Sequence, residues 1–149
     1  MKSSVWGPIT WNLLHTIAEK IYNDKFNESK NDIFKIISMI CTSIPCPICR
    51  ENAINYLKNN KIVNCTTKEA LKDYIFNLHN EANIHANNPI KDKSILKQYE
   101  NLVFSTTFFT YYNLYKNNRS DDITYSFRKN INLKDIHTLL IKNTHCFTY

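Results

Sequence analysis

Glycine is almost absent from this chain, which has one glycine and four prolines among its 149 residues. Tight β-turns depend on glycine, because glycine enters the left-handed region of backbone space at little cost. So little glycine is hard to reconcile with a fold rich in sheet and turns. The composition instead favours helices joined by asparagine-rich loops, in a chain long enough for one domain with a hydrophobic core.

Long apolar runs are missing as well. No stretch approaches the roughly 20 apolar residues that a membrane-spanning helix needs, and the N-terminal residues lack the apolar core of a signal peptide. The net charge is +6, but the lysines are scattered singly and form no basic block of the kind that binds nucleic acid. We therefore expect a cytoplasmic protein that does not bind nucleic acid and does not span a membrane.

Two of the five cysteines lie three positions apart, in Cys46-Pro-Ile-Cys49. Pro47 occupies a favoured first helical position, and apolar residues at helical spacing then predict a helix over residues 47–59. Cys46 would lie at the N-terminus of that helix, where the helix dipole favours a thiolate, and Arg50 adds a positive charge beside Cys49. The pair is therefore predicted to be a redox-active dithiol.

Two other interpretations of the cysteine pair are disfavoured. A structural zinc site needs four ligands, but the remaining cysteines stand singly, and His79 and His85 lack the spacing of a zinc finger. No metal site is therefore predicted. A thioredoxin-like fold would place a strand before the motif, whereas the apolar positions of residues 33–41 fall mainly on one helical face.

The rest of the chain is predicted to be mainly helical. The first helix starts at Pro8, the second is capped by Ser29 or Asn31, and the fourth begins with a Thr66–Glu69 capping box. A fifth, aromatic-rich helix is expected from Ser94. The second helix is predicted over 32–42, and the remaining predicted elements are a short strand over 123–127 and a last helix over 133–142.

A polar cluster lies near the end of the fourth predicted helix. His79 and Asn83 are one helical turn apart, with Asn80 between them. Amide and imidazole groups so placed offer paired donors and acceptors to a polar ligand. An exposed polar face without a ligand remains the alternative.

Three motifs together resemble the Erv/ALR family of flavin-linked sulfhydryl oxidases, in particular the short forms that large DNA viruses encode. The motifs are Trp6-Gly7-x3-Trp11-x2-Leu14-His15, Pro45-Cys46-x2-Cys49 and His79-Asn80-x2-Asn83. The resemblance covers roughly residues 5–100. It implies an all-α fold, in which a four-helix bundle with a short fifth helix holds FAD. It also implies a homodimer, which is the usual assembly in this family. Residues 101–149 would be an aromatic-rich, mainly helical extension of unknown role.

The resemblance also implies a set of cofactor-binding residues. Trp11 and His15 would wall the flavin and adenosine site, and Gly7 would let the backbone approach it. The full set implied is Gly7, Pro8, Trp11, His15, His79, Asn80, Asn83, Asn88 and Tyr99. Three positions depart from the family pattern: Phe76 replaces a common cysteine, Asn88 replaces a typical lysine, and Ile44 replaces an aromatic residue before Pro-Cys.

The activity implied by the resemblance is oxidation of protein thiols, with Cys46 and Cys49 as the catalytic pair. Electrons would pass from thiol-containing proteins, directly or through a thioredoxin-like intermediary, to FAD and then to molecular oxygen. For a viral protein the location would be the host cytoplasm and the virion. Two alternatives stay open: a flavin-free helical adaptor that binds a partner through its aromatic segment, and a thioredoxin-like exchange protein.

Overall fold

The computed structural model describes residues 1–148, which form six α-helices and four short 3₁₀ helices. The α-helices are α1 (Ser3–Lys20), α2 (Phe26–Thr42), α3 (Pro47–Asn59), α4 (Lys68–His85), α5 (Phe104–Asn117) and α6 (Ile123–Lys142). The 3₁₀ helices are Asn23–Lys25, Ile62–Asn64, Lys93–Tyr99 and Thr144–Cys146. Within residues 1–148 there is no strand, only an isolated antiparallel bridge between Ile21 and Phe147. The all-α fold is confirmed.

Helix α1 lies at the centre of the packing. It contacts α4 and α5, while α2 contacts α3 and α6. The side chains of Leu13, Ile17 and Ile37 are completely buried in the resulting core. Two of the predicted motifs lie on α1 and α4, which contact each other, and the third lies at the start of α3, which contacts α4.

The two C-terminal helices belong to the same core. Tyr111 and Tyr115 of α5 are fully buried, and the hydroxyl of Tyr115 lies 2.7 Å from Thr10 Oγ1 of α1. The aromatic face of α5 therefore packs on the bundle. This placement weighs against the adaptor hypothesis, which needs that face to be free for a partner. The thioredoxin-like alternative lacks its sheet in the described residues.

Two helices begin earlier than the sequence predicts. Helix α1 starts at Ser3, so Pro8 lies inside it and removes one backbone hydrogen bond. Helix α2 starts at Phe26 without a side-chain cap, so neither Ser29 nor Asn31 caps it. In both cases burial of a large aromatic side chain, Trp6 or Phe26, extends the helix beyond its local signals.

The cap of α4 is displaced by one residue from the prediction. Thr67, rather than Thr66, precedes the helix, and its Oγ1 accepts a hydrogen bond from the Ala70 N–H at 3.1 Å. The predicted fifth helix is also divided. Its first part is the 3₁₀ helix Lys93–Tyr99, and α5 begins only at Phe104.

The predicted strand over 123–127 is wrong, because these residues form the first turns of α6. Asp122 caps the helix by accepting a hydrogen bond from the Tyr125 N–H at 2.9 Å. Of the three apolar residues that alternate here, Tyr125 is buried while Ile123 and Phe127 are exposed. The alternation therefore does not mark a buried face, and the local cap decides the structure.

None of the described helices combines the length and apolar character that crossing a membrane would require.

Candidate functional site

The two cysteines of the motif form a disulfide at the start of α3. Their Cα atoms are 5.2 Å apart. Cys46 is the N-cap residue, and its sulfur accepts a hydrogen bond from the Cys49 N–H at 3.2 Å. Pro47 follows as the first helical residue. The predicted placement of Cys46 at a helix N-terminus is therefore confirmed.

A cavity of about 690 Å³ lies between α1, α3, α4 and the 3₁₀ helix Lys93–Tyr99. This volume is in the range of pockets that hold cofactors. Eight residues singled out from the sequence line it: Gly7, Pro8, Trp11, Cys49, His79, Asn83, Asn88 and Tyr99. Cys49 is the member of the disulfide that faces the cavity. Cys46, His15 and Asn80 are not part of its lining.

Aromatic rings form one wall of the cavity. The rings of Trp11 and His79 are stacked, with centroids 4.0 Å apart and planes 9° apart. Behind them, His15 Nε2 lies 3.0 Å from His79 Nδ1. The His15 ring also stacks on Tyr99, with centroids 4.2 Å apart. His15 is therefore a buried support for two lining residues.

Both histidines of this wall are neutral at neutral pH. Burial, and secondarily the charge of His79, lowers the pKa of His15 to about 3. Burial, and secondarily the charge of Lys91, lowers the pKa of His79 to about 4. One imidazole therefore donates and the other accepts the hydrogen bond that joins them. Neither supplies a positive charge to a ligand.

Asn80 holds the loop that follows α4. Its Oδ1 accepts hydrogen bonds from the Lys91 N–H at 2.9 Å and from Asn83 Nδ2 at 3.2 Å, while its Nδ2 donates to the Lys91 carbonyl at 3.0 Å. Asn88, which lines the cavity, is fixed by its N–H donating to the Asn83 carbonyl at 2.8 Å. Asn87 provides the turn with a φ of 55°, in the left-handed region that asparagine tolerates.

Gly7 faces open space although the residue itself is buried. A Cβ atom added there would meet no atom within 4 Å. The cavity therefore reaches the backbone of α1 at this point, and a flat group could approach it closely.

The volume of the cavity and most of its lining residues are compatible with FAD. Stacked aromatic side chains offer flat apolar surfaces to ring systems, and side-chain amides of Asn52, Asn83 and Asn88 line its polar part. No lysine or arginine in the described part of the chain lines the cavity. Phosphate groups would thus depend on neutral donors, in agreement with the departure noted at Asn88.

Cys41 was not selected from the sequence as a site residue, yet it lines the cavity. Burial raises the pKa of its thiol to about 12, so the thiol stays protonated and unreactive at neutral pH. In the sequence, the only signal that Cys41 lies at the cavity is its position on the apolar face of the second predicted helix. Cys65 and Cys146 are also buried and carry free thiols.

Comparison with known proteins identifies the family. The model of the Erv1/Alr family matches residues 8–101. The chain belongs to the Erv1/Alr family. It is also 29% identical, over 84 residues, to the FAD-linked sulfhydryl oxidase ERV1 of Oryza sativa subsp. japonica. That match covers 56% of this chain and 43% of the rice protein, so the chain spans less than half the length of this curated relative. No solved structure matches.

The Erv1/Alr match covers most of the cavity but not the whole chain. It includes both cysteines of the disulfide and every lining residue singled out from the sequence except Gly7. Helices α5 and α6 lie beyond it. The contacts of these two helices with the matched region therefore lie outside what the family match describes.

Proposed function

We propose that this protein is an FAD-dependent thiol oxidase that forms disulfides in protein substrates. The observation that carries the proposal is that Cys49, in a disulfide at a helix N-terminus, lines an aromatic-walled cavity of cofactor size. Membership of the Erv1/Alr family and the name of the rice relative, an FAD-linked sulfhydryl oxidase, point to the same activity.

FAD would be held by residues from three segments, α1, α4 and the 3₁₀ helix Lys93–Tyr99. Trp11, His79 and Tyr99 would provide the aromatic wall, Gly7 the close approach, and Asn83 the polar contact. When bound, the flavin would accept two electrons from the cysteine pair and pass them to molecular oxygen, which gives hydrogen peroxide.

The protein half of the reaction takes place at the disulfide. A substrate thiolate attacks the sulfur of Cys46, the S–S bond breaks, and Cys49 leaves as a thiolate. A second thiol of the substrate, ionised to its thiolate, then attacks the substrate sulfur of the mixed disulfide. The bond to Cys46 breaks, the oxidised substrate is released, and Cys46 leaves as a thiolate. The Cys46 thiolate lies at the N-cap of α3 and the Cys49 thiolate in its first turn, where the helix dipole stabilises negative charge. Cys49 faces the cavity, so its sulfur is the one that would pass the electrons to the cofactor.

The variants Cys46→Ser and Cys49→Ser test this assignment. Both are expected to keep bound FAD, seen as the yellow flavin absorbance, and to lose oxygen consumption with dithiothreitol or a reduced protein as substrate. Cys65→Ser is the matched control, because Cys65 is a free buried cysteine that does not line the cavity. Undiminished oxygen consumption by Cys49→Ser would refute the proposal, as would wild-type protein that cannot be loaded with FAD.

The proposal includes a homodimer in the cytoplasm, with substrates oxidised directly or through a thioredoxin-like intermediary. These points rest on the family resemblance and on the apolar pattern of the sequence. Light scattering of the full chain over a concentration series tests the dimer. A constant monomer mass would refute this part of the proposal.

A further inference from the structure

Three side chains of types that bind metal ions lie close together where the 3₁₀ helix Thr144–Cys146 approaches the start of α2, outside the cavity. Cys146 Sγ lies 3.4 Å from His145 Nε2 and 3.9 Å from Glu28 Oε1, and His145 Nε2 lies 3.9 Å from Glu28 Oε2. The proposed thiol oxidation uses none of these residues.

The separations are close to those around a tetrahedral zinc ion. With Zn–S near 2.3 Å and Zn–N and Zn–O near 2.0–2.2 Å, tetrahedral angles place neighbouring ligand atoms roughly 3.3–3.6 Å apart. The observed values exceed this range by a few tenths of an ångström at most. Small rotations of the Glu28 side chain, which lies in the first turn of α2, would close the difference.

The backbone holds the cysteine of this cluster in place. The Tyr22 N–H donates to the Cys146 carbonyl at 2.8 Å, and the Thr148 N–H donates to the Lys20 carbonyl at 2.8 Å. Cys146 is 1% exposed, whereas His145 and Glu28 are exposed. One ligand is therefore fixed in advance, and the other two leave an entry path and a fourth position open to water.

Charge and ligand type also favour zinc. A thiolate and a carboxylate would balance the charge of a divalent cation, and the set of thiolate, imidazole and carboxylate suits Zn²⁺ better than Mg²⁺ or Ca²⁺. One competitor is present, because Lys25 Nζ lies 3.3 Å from Glu28 Oε1. Both side chains of that ion pair are nearly half exposed, so the pair contributes little and a metal ion can displace it.

We propose that Glu28, His145 and Cys146 bind one Zn²⁺ ion, with water as the fourth ligand. The ion would fasten the 3₁₀ helix Thr144–Cys146 to the start of α2. The sequence alone did not predict this site, since Glu28 lies more than a hundred positions from its partners.

Zinc binding by the full chain tests the proposal, with the Cys46–Cys49 disulfide intact so that those sulfurs do not compete. Dialysed protein is analysed for zinc by mass spectrometry, and affinity is measured against a chromogenic chelator. Co²⁺ serves as a spectroscopic probe, because tetrahedral cobalt absorbs in the red, where oxidised flavin does not. We expect one ion per chain and a thermal unfolding midpoint that rises with zinc.

Three variants remove one ligand each. Cys146→Ser, His145→Ala and Glu28→Gln are each expected to weaken zinc binding at least tenfold and to abolish the thermal shift. Cys65→Ser is the matched control and should bind zinc like the wild type. His145 and Glu28 are exposed, so their variants report on the site even where Cys146→Ser impairs folding. Wild-type protein without stoichiometric zinc, or His145→Ala with wild-type affinity, would overturn the proposal.

Discussion

The guanidinium carbon of Arg50 lies 4.7 Å from the centre of the Tyr125 ring, so that α6 contacts the residue that follows the cysteine pair. The Tyr125 hydroxyl donates to the Ser43 carbonyl at 2.8 Å, and Arg50 Nη1 donates to the Ile44 carbonyl at 2.8 Å. Asn132 Nδ2 donates to Ser43 Oγ at 3.0 Å. Helix α6 therefore holds the link between α2 and the disulfide.

Two substitutions separate the contributions of Tyr125. Tyr125→Phe removes the hydrogen bond to Ser43 and is expected to lower the free energy of unfolding by about 1 kcal/mol. Tyr125→Leu also removes the ring below Arg50, for a further loss of roughly 0.5–2 kcal/mol. Urea unfolding measures both losses.

The same pair of variants tests whether α6 affects the disulfide. We expect Tyr125→Leu to favour the reduced dithiol in glutathione buffers, because a looser link holds the two sulfurs less closely together. Tyr22→Phe is the control, since Tyr22 is an exposed tyrosine whose hydroxyl makes no hydrogen bond within residues 1–148. Wild-type stability and wild-type redox equilibrium in Tyr125→Leu would contradict this role.

Substitution of Gly7 should separate folding from cofactor binding. Gly7→Ala is expected to raise the free energy of unfolding of the flavin-free protein by about 0.5–1 kcal/mol, because alanine is the better helix former and its Cβ meets no neighbour. The same methyl group projects into the cavity, so FAD affinity should fall, and further in Gly7→Val. Urea unfolding and fluorescence titration with FAD measure the two effects. Unchanged affinity in a folded Gly7→Val would contradict the placement of FAD beside α1.

The sequence predicted the interior of the helices better than their ends. Apolar residues at helical spacing located the first four helices, because that spacing is a local property. The starts at Ser3 and Phe26 depend on the burial of Trp6 and Phe26 against other helices, which no local pattern contains. The short alternation at 123–127 was misleading for a different reason, because the prediction missed a local signal, the Asp122 cap of α6.

Eight of the residues selected from the sequence line one cavity, but the contacts between them were not predicted. Each motif has its residues one helical turn apart, so a shared face could be inferred. The hydrogen bond between His15 and His79 joins two helices, and the bonds of Asn80 to Lys91 depend on the loop after α4. Such contacts require the packed fold, and they place His15 and Asn80 behind the lining.

Removal of the C-terminal helices is expected to destabilise the whole protein. Truncation after Val103 deletes Tyr111 and Tyr115, which are fully buried against the bundle, together with the buried Ile136 of α6. Each such side chain contributes about 1.5–3 kcal/mol by burial, and a typical domain is stable by only 5–15 kcal/mol. Thermal unfolding followed by circular dichroism measures the loss. A truncated chain with the unfolding midpoint of the full chain would show instead that residues 1–103 form an independent domain.

Acid should destabilise the protein through His15 and His79. Their pKa values are lowered to about 3 and about 4 in the folded chain, while both are near 6.5 in the unfolded chain. Between these values the unfolded chain binds more protons, so the free energy of unfolding falls as the pH decreases from about 6.5 to about 4. Above pH 6.5 the pair adds no pH dependence. The slope is at most about 1.4 kcal/mol per pH unit for each histidine, and less for the partly exposed His79.

Urea unfolding of the wild type and of His15→Gln over this pH range checks the expectation. Glutamine does not titrate, so the variant should be less stable near neutral pH but should show a shallower slope. Asp32, whose pKa is lowered by a hydrogen bond from Asn143 and then by Lys142, has its folded-state pKa below 3.8 and acts mainly at the acid end of the range. The upper part of the range, from pH 6.5 to about 5, therefore reports on the histidines. Equal slopes there in the two proteins would show that the buried His15 does not resist protonation.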